Sequence, residues 1–365
     1  MIKFIHGADF HLDAPFAALP PDQAAQRRGE QRALLERFAG LARTRQVDLV
    51  LLAGDLLDGQ ETYTETIQAL AQALGSIPAP VFLSPGNHDF WSPRSPYAAV
   101  WPENVHIFTS ETPQAFSLPN LGCVVYGAAF CDPSCDTSPL KGFRAPEEGA
   151  SIMVLHGEVE GRGHYGPLSR EDIADSGLTY LALGHVHACS GLQRAGKTWW
   201  AYPGCPEGRG FDELGDKGVL YGTIDGGVVS VEFVPLATRR YRIETVDVTG
   251  RAPEEALAAL LPQTPSPDLC RILFTGESPG LSLPALEAMA APCYYSVTLR
   301  DQTRMPVDLW RRVGEDTLTG LFLRTLRQRL EEAQTAQDEA GQALIQQAAR
   351  FGLAALEHRE DPFGS

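Results

Sequence analysis

Five short apolar runs, each stopping on a polar cluster, constrain the fold of this chain more than any other feature. They read IKFIHGAD at 2–9, VDLVLLAGD at 47–55, PVFLSPGNH at 80–88, SIMVLHGE at 151–158 and YLALGHVH at 180–187. Each is rich in β-branched and aliphatic residues and almost free of polar interruption, which is the pattern of a strand buried on both faces. Residues 23–46 and 62–75 carry helical patterning between them, with Leu34, Leu35, Phe38, Leu41 and Ala42 at helix spacing. Strands covered by helices predict an α/β sheet or sandwich.

The rest of the chain divides by pattern. From 189 to 235 short strands alternate with turns, and KGVLYGTI and GVVSVEFV are joined by Asp225-Gly226-Gly227, a hairpin signal. Residues 1–235 are therefore read as one domain. Residues 236–305 read as a smaller α+β accessory unit, interrupted by Pro262, Pro265 and Pro267, which place a loop there. Residues 306–365 read as a helical segment, with Leu318, Leu321, Phe322, Leu326 and Leu330 on one face and Leu344, Ala348 and Phe351 on another.

Composition narrows the class. No run of about 18 apolar residues occurs, which predicts no membrane-spanning helix. The opening MIKFIHGADF lacks the basic-then-apolar pattern of a secretory signal. Cysteines at 123, 131, 135, 189, 205, 270 and 293 are odd in number and contain no CxxC pair, as expected of reduced thiols in a cytoplasmic protein. The net charge of -16 repels phosphate backbones and argues against a protein that coats nucleic acid. It leaves room for a local basic groove, or for metal ions that reverse the sign of an acidic site.

The polar clusters hold the chemistry. Asp9 and His11 follow the first run, Asp55 the second, Asn87, His88 and Asp89 the third, His156 the fourth, and His185 and His187 the fifth. Any one cluster is a weak signal, because Asp and Gly are common at strand ends for turn reasons. Together they fall where α/β sheets gather ligands, at the carboxyl ends of strands. Carboxylate, amide and imidazole donors without a thiolate favour Mn²⁺ or Fe²⁺, with Zn²⁺ and Mg²⁺ as alternatives. Two such ions need a bridging carboxylate and carry out in-line displacement at phosphorus. Asp55, alone at its strand end, is the natural bridge. Asp9, His11 and one of the paired histidines can complete one ion, while Asn87, His156 and the other complete the second. An extended chain would point His185 and His187 to the same side. His88, next to Asn87, is expected to reach the substrate as a catalytic group, with Asp89 orienting it or capping a helix.

In this order, DxH, GD, GNHD, H and GHxH resemble the calcineurin-like metallophosphoesterases. The longer stretches FIHGADFHLDAPF, LLAGDLLD, SPGNHD, VLHGEV and LALGHVH are similar to the DNA repair exonucleases of the SbcD type, nearest the YhaO branch, over roughly residues 1–235. That resemblance implies a β-sandwich flanked by helices. It implies one ion on Asp9, His11, Asp55 and His187, another on Asp55, Asn87, His156 and His185, and a catalytic His88. It further implies Mn²⁺-dependent exonuclease action on duplex DNA ends, endonuclease action on single strands, an SbcC-like coiled-coil ATPase as partner and a homodimer. The first motif departs from the pattern in reading HLD, not HLG, at 11–13.

Other features have plain readings. Asp13 and Asp58 read as turn or cap residues, Cys131 and Cys135 as loop thiols, His164-Tyr165 as a surface loop and Trp199-Trp200 as packing. Arginines gather at 27, 28, 32 and 37, at 239, 240 and 242, and at 324, 327 and 329. Positions 28 and 32 share a helix face, so a phosphate-contacting stripe is weighed against a solvated face. Two other functions compete with the nuclease: a phosphodiesterase or phosphatase for small or protein-bound esters, and a non-catalytic subunit that recruits an ATPase.

Overall fold

A computed structural model describes residues 1–161, 163–305 and 308–356; residues 357–365 of the expected C-terminal helical segment lie outside the described part. The chain begins with β1 (Ile2–Gly7), α1 (Pro21–Arg45), β2 (Leu49–Leu52), α2 (Thr64–Gly75) and β3 (Val81–Leu83). β4 (Val105–Ile107), β5 (Gln114–Leu118), β6 (Cys123–Gly127) and β7 (Ala150–His156) follow. Next come β8 (Glu158–Val159), β9 (Pro167–Leu168), α3 (Arg170–Asp175), β10 (Tyr180–Gly184), β11 (Gln193–Ala195) and β12 (Thr198–Ala201). The hairpin expected at Asp225 is β13 (Gly218–Asp225) paired antiparallel with β14 (Val228–Pro235).

Two mixed six-stranded sheets result. One runs β14-β13-β1-β2-β3-β4 and the other β11-β12-β10-β7-β6-β5. β1, β2 and β3 are mutually parallel in the first, as are β7 and β10 in the second. These are the five apolar runs. Their carboxyl ends carry the five polar clusters.

Burial explains why the runs show no polar alternation. Phe4, Leu49, Leu51 and Phe82 pack with Val125, Ile152, Val154, Tyr180 and Ala182 in one core cluster between the sheets. The alternate residues Ile5, Val50, Leu52, Val81 and Leu83 pack under Leu34, Leu35 and Phe38 of α1 and Leu70 of α2. On the far side Met153, Leu155, Leu181 and Leu183 meet Ile173 of α3 and Leu178. Each central strand is thus buried on both faces, and every large side chain so enclosed contributes about 1.5–3 kcal/mol. The result is a sandwich with helices on its flank.

Beyond it lie β15 (Tyr241–Asp247), α4 (Pro253–Leu260), β16 (Ser266–Thr275), α5 (Leu283–Ala290), β17 (Tyr294–Asp301), α6 (Leu318–Thr335) and α7 (Glu339–Leu356). The chain divides into two compact units. One holds Met1–Glu244, Leu261–Ile272 and Glu287–Leu299; the other holds Thr245–Leu260, Leu273–Leu286 and the chain from Arg300 onward. The stretch 236–305, expected as one accessory domain, is therefore shared between them along the sequence.

The C-terminal helices bury only part of the expected faces. Leu323 of α6 and Ala349 and Leu353 of α7 form a cluster with Leu309, flanked by Phe322 and Leu326, and Leu330 is also buried. Leu318, Leu321 and Leu344 are exposed. Leu321 lies two positions from Leu323, about 200° around the helix, so both cannot face the same partner. Among the described residues no helix is long and apolar enough to cross a membrane.

Candidate metal centre

The loops after β1 and β2 are zipped together before any side chain is considered. Asp9 N donates to Gly54 O at 3.0 Å, His11 N to Asp55 O at 2.9 Å and Leu12 N to Leu56 O at 2.9 Å. Asp9, His11, Asp55 and His185 all have left-handed backbones, with φ of 55°, 44°, 50° and 104°. Each such residue costs on the order of 1–3 kcal/mol and persists only where its surroundings over-determine it. The strain is concentrated at the expected ligands.

The strained backbone separates the paired histidines. β10 ends at Gly184, and positive φ at His185 breaks the extended geometry that would have aimed both rings one way. His185 lies against His156, with ring centroids 5.2 Å apart, and against Tyr165 at 5.3 Å. His187 instead meets His11 at 5.0 Å. Gly184 is there for space: a Cβ on it would lie 1.8 Å from the Ala53 carbonyl oxygen.

Two groups of donors converge. In the first, the Nε2 atoms of His11 and His187 face each other at 3.3 Å. Asp9 Oδ1 lies 3.9 Å from His187 Nε2, and Asp55 Oδ2 lies 3.8 Å from His11 Nε2. Both Nδ1 atoms are engaged on carboxylates, His11 donating to Asp58 Oδ1 at 3.0 Å and His187 to Glu213 Oε1 at 2.7 Å. Burial pulls His11 down to about 4, so its ring is neutral. His11 therefore turns an Nε2 lone pair toward His187 Nε2, and a divalent cation held by both rings would satisfy the two inward nitrogens.

In the second group His156 Nε2 lies 3.0 Å from Asn87 Oδ1 and 3.3 Å from Asp55 Oδ2. Its Nδ1 donates to the Ala53 carbonyl at 2.9 Å. Burial works to lower the His156 pKa, but the Asp55 carboxylate more than reverses this and lifts it to about 9. The ring therefore holds a positive charge where the oxygens point. Burial, opposed by His156 and reinforced by Asp55, raises Asp9 to about 6. Asp9, Asp55 and His156 also place ligand atoms close enough together to share one ion, as do Asp9, His11 and His187. Asp55, within reach of both His11 and His156, stands between the groups. His185 stands beside the second group without joining those ligand atoms, its pKa pulled to about 4 by burial. Oxygen and imidazole donors without a thiolate fit divalent cations of the first-row or Mg²⁺ kind, which would take the place of the positive charge now on His156.

His88 occupies a different position. Its backbone N donates to Asp55 Oδ1 at 2.9 Å, while its exposed ring donates from Nδ1 to the Asp58 carbonyl at 3.1 Å. The ring lies beside His11, with centroids 4.9 Å apart, and one of its nitrogens is within reach of ligand atoms of His11 and Asp58.

Asp89 does not orient His88 and caps no helix, contrary to expectation. It is fully buried, and its carboxylate accepts from the backbone N of Asp55, Leu56, Leu57 and Gly86 and from the Tyr97 hydroxyl. Burial and the Asp55 charge push its pKa up, against those donors. With five donors on two oxygens it clamps the loops after β2 and β3 together and has no lone pair to offer a substrate.

Sequence reasoning missed Glu213 and placed Asp58 among turn residues. Nothing in the spacing links Asp58 to His11, 47 positions away, or Glu213 to His187. Asp13 does behave as a cap, accepting from Tyr63 N and Thr66 Oγ1 at the start of α2. Arg28 and Arg32, weighed as a phosphate stripe against a solvated face, are half-exposed, and several of the clustered arginines are paired within the chain. Arg27 is wholly buried and paired with Glu207 at 2.8 Å and Glu30 at 2.7 Å. Arg28 donates to the Pro15 carbonyl, and Arg32 lies 3.6 Å from Asp13. Arg239 pairs with Glu30 and Arg240 with Asp268.

Comparison with known proteins identifies the family. The profile of the family "Calcineurin-like phosphoesterase" matches residues 2–189. The chain is 30% identical over 302 residues to the uncharacterized metallophosphoesterase YhaO of Bacillus subtilis, covering 76% of this chain and 72% of that one. It is 25% identical over 351 residues to the DNA double-strand break repair protein Mre11 of Methanopyrus kandleri, covering 84% of this chain and 74% of the relative.

Proposed function

Because this chain belongs to the calcineurin-like phosphoesterase family, we propose that it is a two-metal nuclease that hydrolyses phosphodiester bonds in DNA. Its substrates in this reading are duplex ends, attacked as an exonuclease, and single strands, attacked as an endonuclease, in double-strand-break repair with an SbcC-like ATPase. One observation carries the choice of DNA. Similarity to the archaeal Mre11 extends over 84% of the chain, well past residue 189, where the phosphoesterase match ends. A hydrolase of small esters has no need of the extra length.

In this proposal Asp9, His11, Asp55 and His187 hold one ion and Asp55, Asn87, His156 and His185 the other, with Mn²⁺ as the ion. Two divalent cations so held polarise a phosphoryl oxygen and lower the pKa of nearby water. The chain's residues do the rest. Asp55 and Asp9, both buried, fix the charge and spacing of the donor set. His88, steadied through Nδ1 by the Asp58 carbonyl, presents Nε2 to a bound phosphodiester, where it stabilises the developing charge or protonates the leaving oxygen.

The net charge of -16 favours a second reading, a phosphodiesterase or phosphatase for small esters, since the whole-molecule field opposes a DNA backbone. Digestion of end-labelled duplex and single-stranded DNA, run beside bis-p-nitrophenyl phosphate with Mn²⁺ or a chelator, decides between them. The nuclease reading expects Mn²⁺-dependent loss of label that disappears in His88→Ala. Hydrolysis of the small diester with no DNA cleavage under any metal would leave only the second reading.

A further inference from the structure

The segment that follows β12 carries a residue no motif singled out. Arg209 Nη1 donates to Asp58 Oδ1 at 3.1 Å, and Nη2 donates to Glu213 Oε1 at 2.9 Å. Those same two oxygens accept from His11 Nδ1 and His187 Nδ1. Arg209 Nη2 also lies 3.1 Å from His187 Nδ1, but a guanidinium only donates and a 2.7 Å approach to a carboxylate requires an N–H on the imidazole. The two nitrogens are therefore donors sharing one acceptor. A single planar fork spans both histidine–carboxylate pairs.

We propose that Arg209 is the positioning residue for one of the two metal ions. It locks Asp58 and Glu213, and through them the tautomer and aim of His11 and His187, and so sets the affinity of that ion separately from its neighbour. The inference rests on the two-metal reading above. Carboxylates that orient metal-bound imidazoles are a known source of ligand strength and are themselves positioned by further hydrogen bonds. Here both carboxylates depend on one side chain.

Its placement is over-determined by the segment that carries it. Arg209 N donates to Glu213 Oε2 at 2.7 Å, closing a tight loop. Just before it, Glu207 is buried against Arg27, and the Gly208 carbonyl accepts from Arg27 Nη2 at 3.0 Å. Behind the centre Lys217 Nζ donates to the His187 carbonyl at 3.1 Å. The buried arginine of α1 thus fixes the loop, and the loop fixes the fork. The second donor group is anchored differently, because His156 Nδ1 is held by the Ala53 backbone carbonyl. Lysine cannot replace the fork: one ammonium is a point charge and cannot bridge two separated carboxylates with fixed geometry.

Arg209→Gln and Arg209→Lys, prepared metal-free beside the wild type, test this by calorimetric Mn²⁺ titration and by ¹⁵N NMR of the histidine side chains. The expected result is one site weakened roughly 10- to 100-fold and the other unchanged. In both variants the metal-free His11 and His187 lose their uniform Nδ1–H signature. Arg209→Lys keeps the charge and most of the stem, so it provides the test if the glutamine variant does not fold. Two sites at wild-type affinity, or equal weakening of both, would overturn the proposal. Failure of the wild type to take up two ions would instead remove the two-metal reading on which it stands.

Discussion

His11 and His187 face each other through their Nε2 atoms at 3.3 Å while each ring donates from Nδ1 to a carboxylate. Two inward nitrogens held in this way act as a unit. His11→Ala and His187→Ala are each expected to lower phosphodiester hydrolysis by more than the roughly 100-fold typical of changes outside the ligand set. The double variant should be no worse than either single one, because residues that act together are not additive. Hydrolysis rates for the three variants at saturating Mn²⁺ check this, and losses that multiply would show independent roles.

His88 should behave differently, since its ring is exposed and lies outside the two buried donor groups that converge. His88→Ala is expected to retain both ions yet lose about 10²–10⁴ in kcat. The loss should be larger on DNA than on bis-p-nitrophenyl phosphate if the ring protonates the leaving oxygen, because p-nitrophenolate leaves without help. Equal losses on both substrates would point to charge stabilisation as its whole role. Metal content and kcat measured on the same preparations separate these outcomes.

Asp89 is expected to matter for assembly of the centre. Asp89→Asn presents an amide N–H₂ to a site filled by five donors, so at least one backbone N–H loses its partner, at about 1–3 kcal/mol each. Tyr97→Phe removes a single donor and should lower stability by roughly 1 kcal/mol. Urea unfolding in chelator measures both. Full stability in Asp89→Asn would contradict the clamp.

His6 gives the fold an acid limit unrelated to metal. Its Nε2 donates to the Leu183 carbonyl and its Nδ1 accepts from Tyr180, so the neutral ring is satisfied on both sides. Burial lowers its pKa from 6.5 to about 3. Between those values the unfolded chain binds the proton and the folded one does not, so stability present above pH 6.5 drains away as pH falls toward 3. Each pH unit within that window removes up to about 1.4 kcal/mol from this group. The slope of metal-free stability against pH should flatten in His6→Gln.

The sequence by itself determined the five buried strands and the residues at their ends. Short apolar runs without alternation, rich in β-branched residues and closed by turn residues, suit strands enclosed on both faces, and the ends of parallel strands in one sheet fall on one edge. That Asp9, His11, Asp55, Asn87, His156, His185 and His187 lie at the ends of those strands was legible for that reason. What only the tertiary structure decided depends on contacts between positions far apart in the chain. Spacing put His185 and His187 on one side, but positive φ at His185, forced beside a strand close enough to require Gly184, turns them apart. Asp89 looked like a partner of its neighbour His88 and is instead the knot between two loops. Asp58, Arg209 and Glu213 carried no motif, because what orients His11 and His187 is a hydrogen-bond network that closes only when the segment after β12 folds back beside the end of β1. Local pattern sets which residues reach the site, and long-range hydrogen bonding sets which way each of them points.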